Sequence, residues 1–171
     1  MGTYAAGILP YIKIDNNVYV LLGKDRRNKW SDFGGKSELR DNDNKKYTAA
    51  REFFEETCGC VSSLFKTSHS LNTRYVKLLK GKSYTKKEYY MYLLDARTLM
   101  TPNEINDLTN KFDSIYTYLR SVDIDPKFIE KNKLKWVSTT ALFDNTAFDN
   151  LRQVFYNTIN IPANKRIIQN L

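Results

Sequence analysis

Two apolar stretches open the chain, and each has the length of a strand. Residues Tyr4 to Ile14 and Val18 to Gly23 are joined by Asp15-Asn16-Asn17, a polar turn of the kind that reverses a hairpin. Tyr19, Val20, Leu21 and Leu22 are contiguous, the pattern of a strand covered on both faces. A second strand pair is expected from Ser70 to Leu79 and from Glu88 to Leu94, with Lys80-Gly81-Lys82 beginning the connection. Further on the spacing changes to threes and fours. Ile105, Leu108, Phe112, Ile115 and Leu119 predict an amphipathic helix running to about Arg120. Thr101-Pro102-Asn103-Glu104 starts it, with Thr as cap, Pro at the first helical position and Glu three residues past the cap. A last helix is expected from Thr146 to Asn157, its apolar side of Phe148, Leu151, Val154 and Phe155 closing the core.

The stretch from Lys45 to Thr57 is different, because its helical pattern carries three glutamates close together. At about 100° per residue, Glu52, Glu55 and Glu56 fall within an arc of about 100°. Tyr47, Ala50, Phe54 and Cys58 fall on the other side, which reads as the core face. Glu52 and Glu56 repel at an i,i+4 spacing, and anions near a helix C-terminus oppose its dipole. A hard cation would reverse that penalty, since carboxylate oxygens are what Mg²⁺ or Mn²⁺ prefer. The alternative is a solvated acidic face with Arg51 as its counterion. Gly34-Gly35, just upstream, lets the backbone approach a bound ion or phosphate.

Composition narrows the class. With 171 residues and 42% apolar content, one core is expected and two are not, so residues 1–171 read as a single domain. No apolar run approaches bilayer length and the N-terminus lacks the organisation of a secretory signal, so a soluble, cytoplasmic protein is expected. Cys58 and Cys60 make neither a disulfide framework nor a zinc site, and read as packing residues at a helix end. Lys and Arg outnumber Asp and Glu by 27 to 19, a net +8 that draws polyphosphates or nucleic acids. The wealth of Lys, Asn and Tyr is also what an AT-rich genome produces, whether of a microbe or of a large DNA virus; in the second case the location would be host cytoplasm.

Gly35, the acidic turn Asp41-Asn42-Asp43-Asn44, Arg51-Glu52 and Glu55-Glu56 together resemble the Nudix box, the signature of the Nudix hydrolases. The box runs glycine, five residues, glutamate, seven residues, Arg-Glu, a hydrophobic residue, any residue, Glu-Glu, any residue, glycine. Counting back from Arg51 places Asp43 at the first glutamate, with two extra residues before it, and Cys58 at the final glycine, with Gly59 one place late.

The resemblance implies an α+β fold, the α/β/α sandwich with a mixed sheet, and an Mg²⁺- or Mn²⁺-dependent hydrolase cleaving a diphosphate linkage in a nucleoside-diphosphate-type substrate. It implies Glu52, Glu55 and Glu56 as metal ligands with the Gly34 or Gly35 carbonyl, Glu52 or Glu55 as general base, and Arg51 as the residue that orients the carboxylates. The basic loop Lys24-Asp25-Arg26-Arg27-Asn28-Lys29 would border the substrate cleft, making Arg26, Arg27, Lys29 and also Lys36 candidate phosphate contacts; Trp30 either stacks on a base or packs under the loop. Phe128-Ile129-Glu130 leading into Leu134 to Ser138 is similar to the late strand of Nudix domains, with Glu130 as a candidate further ligand, base or substrate contact. Free nucleotides and nucleotide sugars, the mRNA cap and diphosphoinositol polyphosphates are all open as substrates, with RNA contact through the basic loops. A catalytically inactive module binding RNA or a nucleotide is the alternative.

Overall fold

Residues Ala5–Ile14 are apolar at nearly every position, and they lie at the middle of the sheet, where a strand has both faces covered. In the computed structural model, which describes residues 3–73, 76–125, 129–144 and 150–171, this strand is β1. It is followed by β2 (Asn17–Asp25), β3 (Trp30–Ser31), β4 (Phe33–Lys36), α1 (Lys45–Glu56), α2 (Leu64–Ser70), β5 (Lys77–Lys82) and β6 (Glu88–Asp95). Then come α3 (Pro102–Ser121), β7 (Lys131–Ser138), α4 (Thr139–Phe143), α5 (Gln153–Ile159) and α6 (Pro162–Gln169).

The sheet has seven strands in the order β3-β2-β1-β6-β5, with β4 also on β1 and β7 also on β2. It is mixed: β1 and β6 run parallel, while the remaining pairs are antiparallel. Alternation along the strands feeds two cores. Ala6, Ile8, Ile12 and Leu21 join Phe53 of α1 and Leu108 and Phe112 of α3 on one side. Ala5, Leu9, Val20 and Leu22 join Phe155 and Ile159 of α5 and Ile168 of α6 on the other. This is the expected helix–sheet–helix sandwich. The box of Thr101 and Glu104 caps α3 as expected, each side chain accepting from the other's backbone N–H.

Three expectations are corrected. The core face of α1 takes in Ala50 as expected, but it centres on Ala49, Glu52, Phe53 and Glu56 rather than on Tyr47 and Phe54, with Cys58 at its edge: Phe53 is 1% exposed and Phe54 37%. That stripe has helical spacing, and it carries two carboxylates inward beside Phe53, which a reading that places every charge outside misses. Ser70 ends the helix α2 instead of starting a strand, since Ser63 caps a turn there by accepting from the Lys66 N–H; β5 begins at Lys77 and residues 74–75 lie outside the described ones. The helix expected to close the chain is α5, which starts at Gln153, and α6 follows it. Leu151 is extended beside Trp30, where Trp30 N–H donates to the Asn150 carbonyl (2.9 Å) and Arg152 N–H to the Trp30 carbonyl (2.8 Å). The expected start at Thr146, with Phe148, lies outside the described residues, as does Phe128.

Cys60 is buried, which pushes its thiol up to about 12, and both cysteines are free thiols. Cys58 and Gly59 both take positive φ (52° and 66°), so the left-handed exit from α1 spans the position expected of the box glycine and the one after it. Among the described residues no helix is long and apolar enough to cross a membrane.

Candidate functional site

The site is assembled where α1 lies against β4. Asn44 caps the helix, its side chain accepting from the N–H groups of Lys46 and Tyr47 (both 3.1 Å). Arg51, 3% exposed, organises the surrounding acids. Its Nε and Nη2 donate to the two carboxylate oxygens of Asp41 at 2.9 and 3.0 Å, a fork-to-fork pair. Nη2 also donates to the Lys36 carbonyl (3.0 Å), while Nη1 lies 2.9 Å from Glu52 and donates to Glu55 at 3.0 Å.

Asp41, not Asp43, is therefore the first acid of the motif. It is buried and further held by the Glu38 N–H and the Thr48 hydroxyl (2.9 Å each), whereas Asp43 is exposed with φ 56°. Counting five residues forward from Gly35 also reaches Asp41, which places the two extra residues between Asp41 and Arg51.

The three glutamates part company. Glu55 is turned outward, its side chain 44% exposed and held by Arg40 (2.9 Å) as well as Arg51. Glu52 and Glu56 are turned inward, 9% and 3% exposed. A Cβ on Gly35 would stand 2.5 Å from the Glu52 carboxylate, so the absence of a side chain there makes the room that carboxylate occupies. Glu56 Oε2 accepts from the Gly34 N–H at 2.8 Å. Its Oε1 has no hydrogen-bond partner and lies 3.4 Å from the Lys131 ammonium.

Lys131 is the residue that sequence reasoning missed. Buried at 1% exposure, it donates to the Ser31 hydroxyl (2.8 Å) and the Asp32 carbonyl (3.2 Å), and its stem runs over Gly23, where a Cβ would meet its Cδ at 2.9 Å. The pairing of β2 with β7 slips by one residue here, from Lys24 opposite Lys133 to Asp25 opposite Lys131. That slip moves Lys131 from the face of Val137 to the face of Leu134 and of α1.

Burial pushes Glu52 up to about 7, against the pull of Arg51 and with Glu55 and Glu130 adding to the push. Burial pushes Glu56 up as well, Lys131 opposing and Glu130, Glu52 and Asp32 assisting. Asp32, hydrogen-bonded by the Tyr89 hydroxyl, is pushed up to about 6 by burial despite Tyr89, Lys131 and Arg152. For Arg152, burial alone would lower the value, and Glu56, Tyr84 and Asp32 reverse this and raise it.

Among the described residues no three Asp, Glu, His or Cys side chains are gathered as a ready-made cation site, because Arg51 draws Glu55 away. A divalent ion nonetheless fits what is there. Magnesium is commonly held by one or two carboxylates, its own waters and substrate phosphates. Glu52 and Glu56 supply two carboxylates, one with an oxygen lacking a hydrogen bond, beside a backbone kept bare by Gly34 and Gly35.

The remaining candidates surround two cavities. Lys36 is on the rim of one of about 260 Å³, together with Asp32, Gly34 and Gly35. Arg26, Arg27, Lys29 and Glu130 line the other, of about 490 Å³. Arg26 also donates to the Ile129 carbonyl (3.2 and 3.3 Å) and Lys29 to the Asn150 side chain (3.2 Å). Trp30 packs into the second core, with the Lys24 ammonium 5.8 Å from its ring.

Several solved structures share this architecture. The chain matches the Nudix domain of Shewanella oneidensis NrtR complexed with ADP ribose over 98% of its own length and 89% of that domain, at 11% identity and a TM-score of 0.51. It matches the C-terminal domain of mouse MUTYH, in that domain's complex with human PCNA, over 96% of its own length and 89% of that chain, at 11% identity and a TM-score of 0.52. No protein-family model and no curated protein matches the sequence.

Proposed function

Given that the chain has the Nudix fold, we propose that it is a divalent-cation-dependent hydrolase that cleaves the diphosphate linkage of a nucleotide-type substrate, with Glu52 and Glu56 holding the ion. Glu56 carries the reading. A carboxylate at 3% exposure, with one oxygen fixed by a backbone N–H and the other without a hydrogen bond and 3.4 Å from the Lys131 ammonium, is costly to bury charged, and a divalent ion would add to the neutralisation that Lys131 begins. The Gly34 or Gly35 carbonyl is the further ligand.

Bound there, Mg²⁺ or Mn²⁺ would neutralise phosphate charge and lower the pKa of a bound water. The other tasks belong to the chain. Arg51 fixes Glu52 and Glu55 in place and, being buried, does not reach the substrate. Of the two candidate bases, Glu52 is the better placed, being turned inward beside Glu56, whereas Glu55 is held outward by two arginines. Arg26, Arg27, Lys29 and Lys36 receive phosphate, and Glu130 shapes the basic cavity's edge.

The leaving group is sought among ADP-ribose, which the NrtR domain binds, nucleoside triphosphates, capped RNA and a diphosphoinositol polyphosphate. Assayed over this panel with Mg²⁺, one class should turn over, and Glu56→Gln should lower turnover by about two orders of magnitude or more while the melting temperature holds or rises. Undiminished turnover in the variant would overturn the metal site. A second reading, an inactive module that binds a nucleotide or RNA, is favoured by Lys131, which already sets a cation 3.4 Å from Glu56. Metal-independent retention of one ligand without turnover is its expected result, and a steep salt dependence would single out RNA.

A further inference from the structure

The cleft bordered by Gly34, whose N–H holds Glu56, is divided in two. Its smaller cavity is walled by Tyr4, Tyr84, Tyr89, Val154 and Phe155, an aromatic and aliphatic lining that suits a planar ring. The larger is lined by Arg26, Arg27 and Lys29 against Asp25 and Glu130. Asp25 is turned into its own loop, its carboxylate accepting the N–H groups of Arg27 (2.8 Å) and Lys29 (2.9 Å), so it shapes the loop that carries the cations.

Two residues line both cavities, Tyr84 and Arg152. Tyr84 is 65% exposed on the loop between β5 and β6, a turn closed by Ser83 N–H to the Lys87 carbonyl at 2.8 Å. Arg152 is half-buried and anchored through its backbone to Trp30; it borders both cavities beside Tyr84, and Glu56, Tyr84 and Asp32 favour its charged form. A cation is thus held at the junction of the two cavities, on the side of the buried carboxylates.

We infer that the substrate straddles Tyr84 and Arg152, with a planar ring in the aromatic cavity, the diphosphate at Arg152 and a further phosphate-bearing group among Arg26, Arg27 and Lys29. This rests on the proposed function for the placement of the diphosphate beside Glu56. It narrows the substrate to nucleotides whose leaving half carries phosphate of its own, and it disfavours nucleotide sugars. Tyr84 supplies the stacking surface next to the ring, and Arg152 recognises the charge between the two halves.

The test uses equilibrium binding to the Glu56→Gln protein, so that affinity is read without turnover. Adenosine and guanosine are each supplied as the 5′-diphosphate and the 5′-tetraphosphate, with tripolyphosphate as the ring-free probe, and the tighter nucleoside is followed. The tetraphosphate should bind about tenfold more tightly than the diphosphate. Arg27→Ala with Lys29→Ala should abolish that advantage and leave the diphosphate within about twofold. Tyr84→Ala should weaken both nucleotides about tenfold, the scale of one stacking contact, and spare tripolyphosphate. All three side chains are on surface loops, and thermal unfolding of each variant checks that the fold is kept. Equal affinity for the two nucleotides, equal losses in the double variant, or no nucleotide binding would each overturn the inference. If instead this binding pattern holds while the wild-type protein turns over nothing, the hydrolase reading alone falls.

Discussion

At the residue scale, Glu52 and Asp41 shift in opposite directions, although burial raises both and both touch Arg51. Glu52 is pushed by burial up to about 7 from an ordinary 4.5, so between those values the folded protein holds a proton that the unfolded chain has released. Stability therefore falls as pH rises through that interval and is level above it. Asp41 is pushed up by its own burial but pulled lower on balance by Arg51, the Glu38 N–H and Thr48. Its contribution is present above its ordinary 3.8 and is lost as pH falls below. In chelator, calorimetry should find the melting temperature highest near pH 5 and lower at pH 7.5, a decline that Glu52→Gln lessens, with Glu56 and Asp32 supplying the rest, and that saturating Mg²⁺ reduces. A melting temperature that climbs steadily from pH 5 to pH 8 would refute this. Helical spacing told from sequence that the three glutamates are neighbours, but it did not show which would face in, because that depends on where α1 sits on the sheet. Lys131 carried no signal in a segment with Lys133 and Lys135; a one-residue slip between two distant strands turns it inward, and strand slips are invisible in a single sequence.

At the scale of elements, the site depends on how closely β1 and β4 run past α1. Gly7 pairs with Gly34 and Ala6 with Gly35. A Cβ at Gly34 would stand 2.7 Å from the Gly7 Cα and 2.8 Å from the Ala6 carbonyl oxygen, backbone atoms that cannot yield without disturbing the pairing. At Gly35 the nearest atoms it would meet are those at the end of the Glu52 side chain, at 2.5 Å. The two neighbouring alanine substitutions should therefore separate. Gly34→Ala should lose about 1–3 kcal/mol of stability in denaturant unfolding, the cost of overpacking. Gly35→Ala should keep the fold and lose affinity for Mn²⁺, read by electron paramagnetic resonance, because Glu52 is displaced. Unchanged Mn²⁺ affinity in Gly35→Ala would remove Glu52 from the ion's shell. Long periodic elements such as β1, β2 and α3 were legible from their own residues. The seven-residue helix α2 was not, since it is short and polar on most sides, and α6 lies past the expected last helix.

At the scale of the whole molecule, the net charge of +8 has a definite place to act. Arg26, Arg27, Lys29, Lys36, Lys87 and Arg152 all line the cleft, so they add to one field at its mouth. For a polyanionic substrate, kcat/KM should fall severalfold as ionic strength rises from about 10 mM to about 150 mM, over which the screening length shrinks from about 30 to about 8 Å, with kcat nearly constant. A flat profile would leave the excess of lysine as a matter of composition alone. The sandwich was legible from sequence through the motif, whereas the meeting of the cleft's cations was not, since they come from β4, two loops and the approach to α5.

The order in which these parts leave the ribosome differs from the order in which they are joined. β1, β4 and α1 emerge early and bring Glu52 and Glu56 together with Arg51. The parallel partner of β1 is β6, with Ala5 opposite Tyr89, so the middle of the sheet stays open on that side until much more chain has been made. Lys131 and Arg152, the cations that face Glu56, arrive later still. Glu56 thus meets neither of these cations until β7 and the approach to α5 have been made, segments that also supply Val137, Phe155 and Ile159 to the second core.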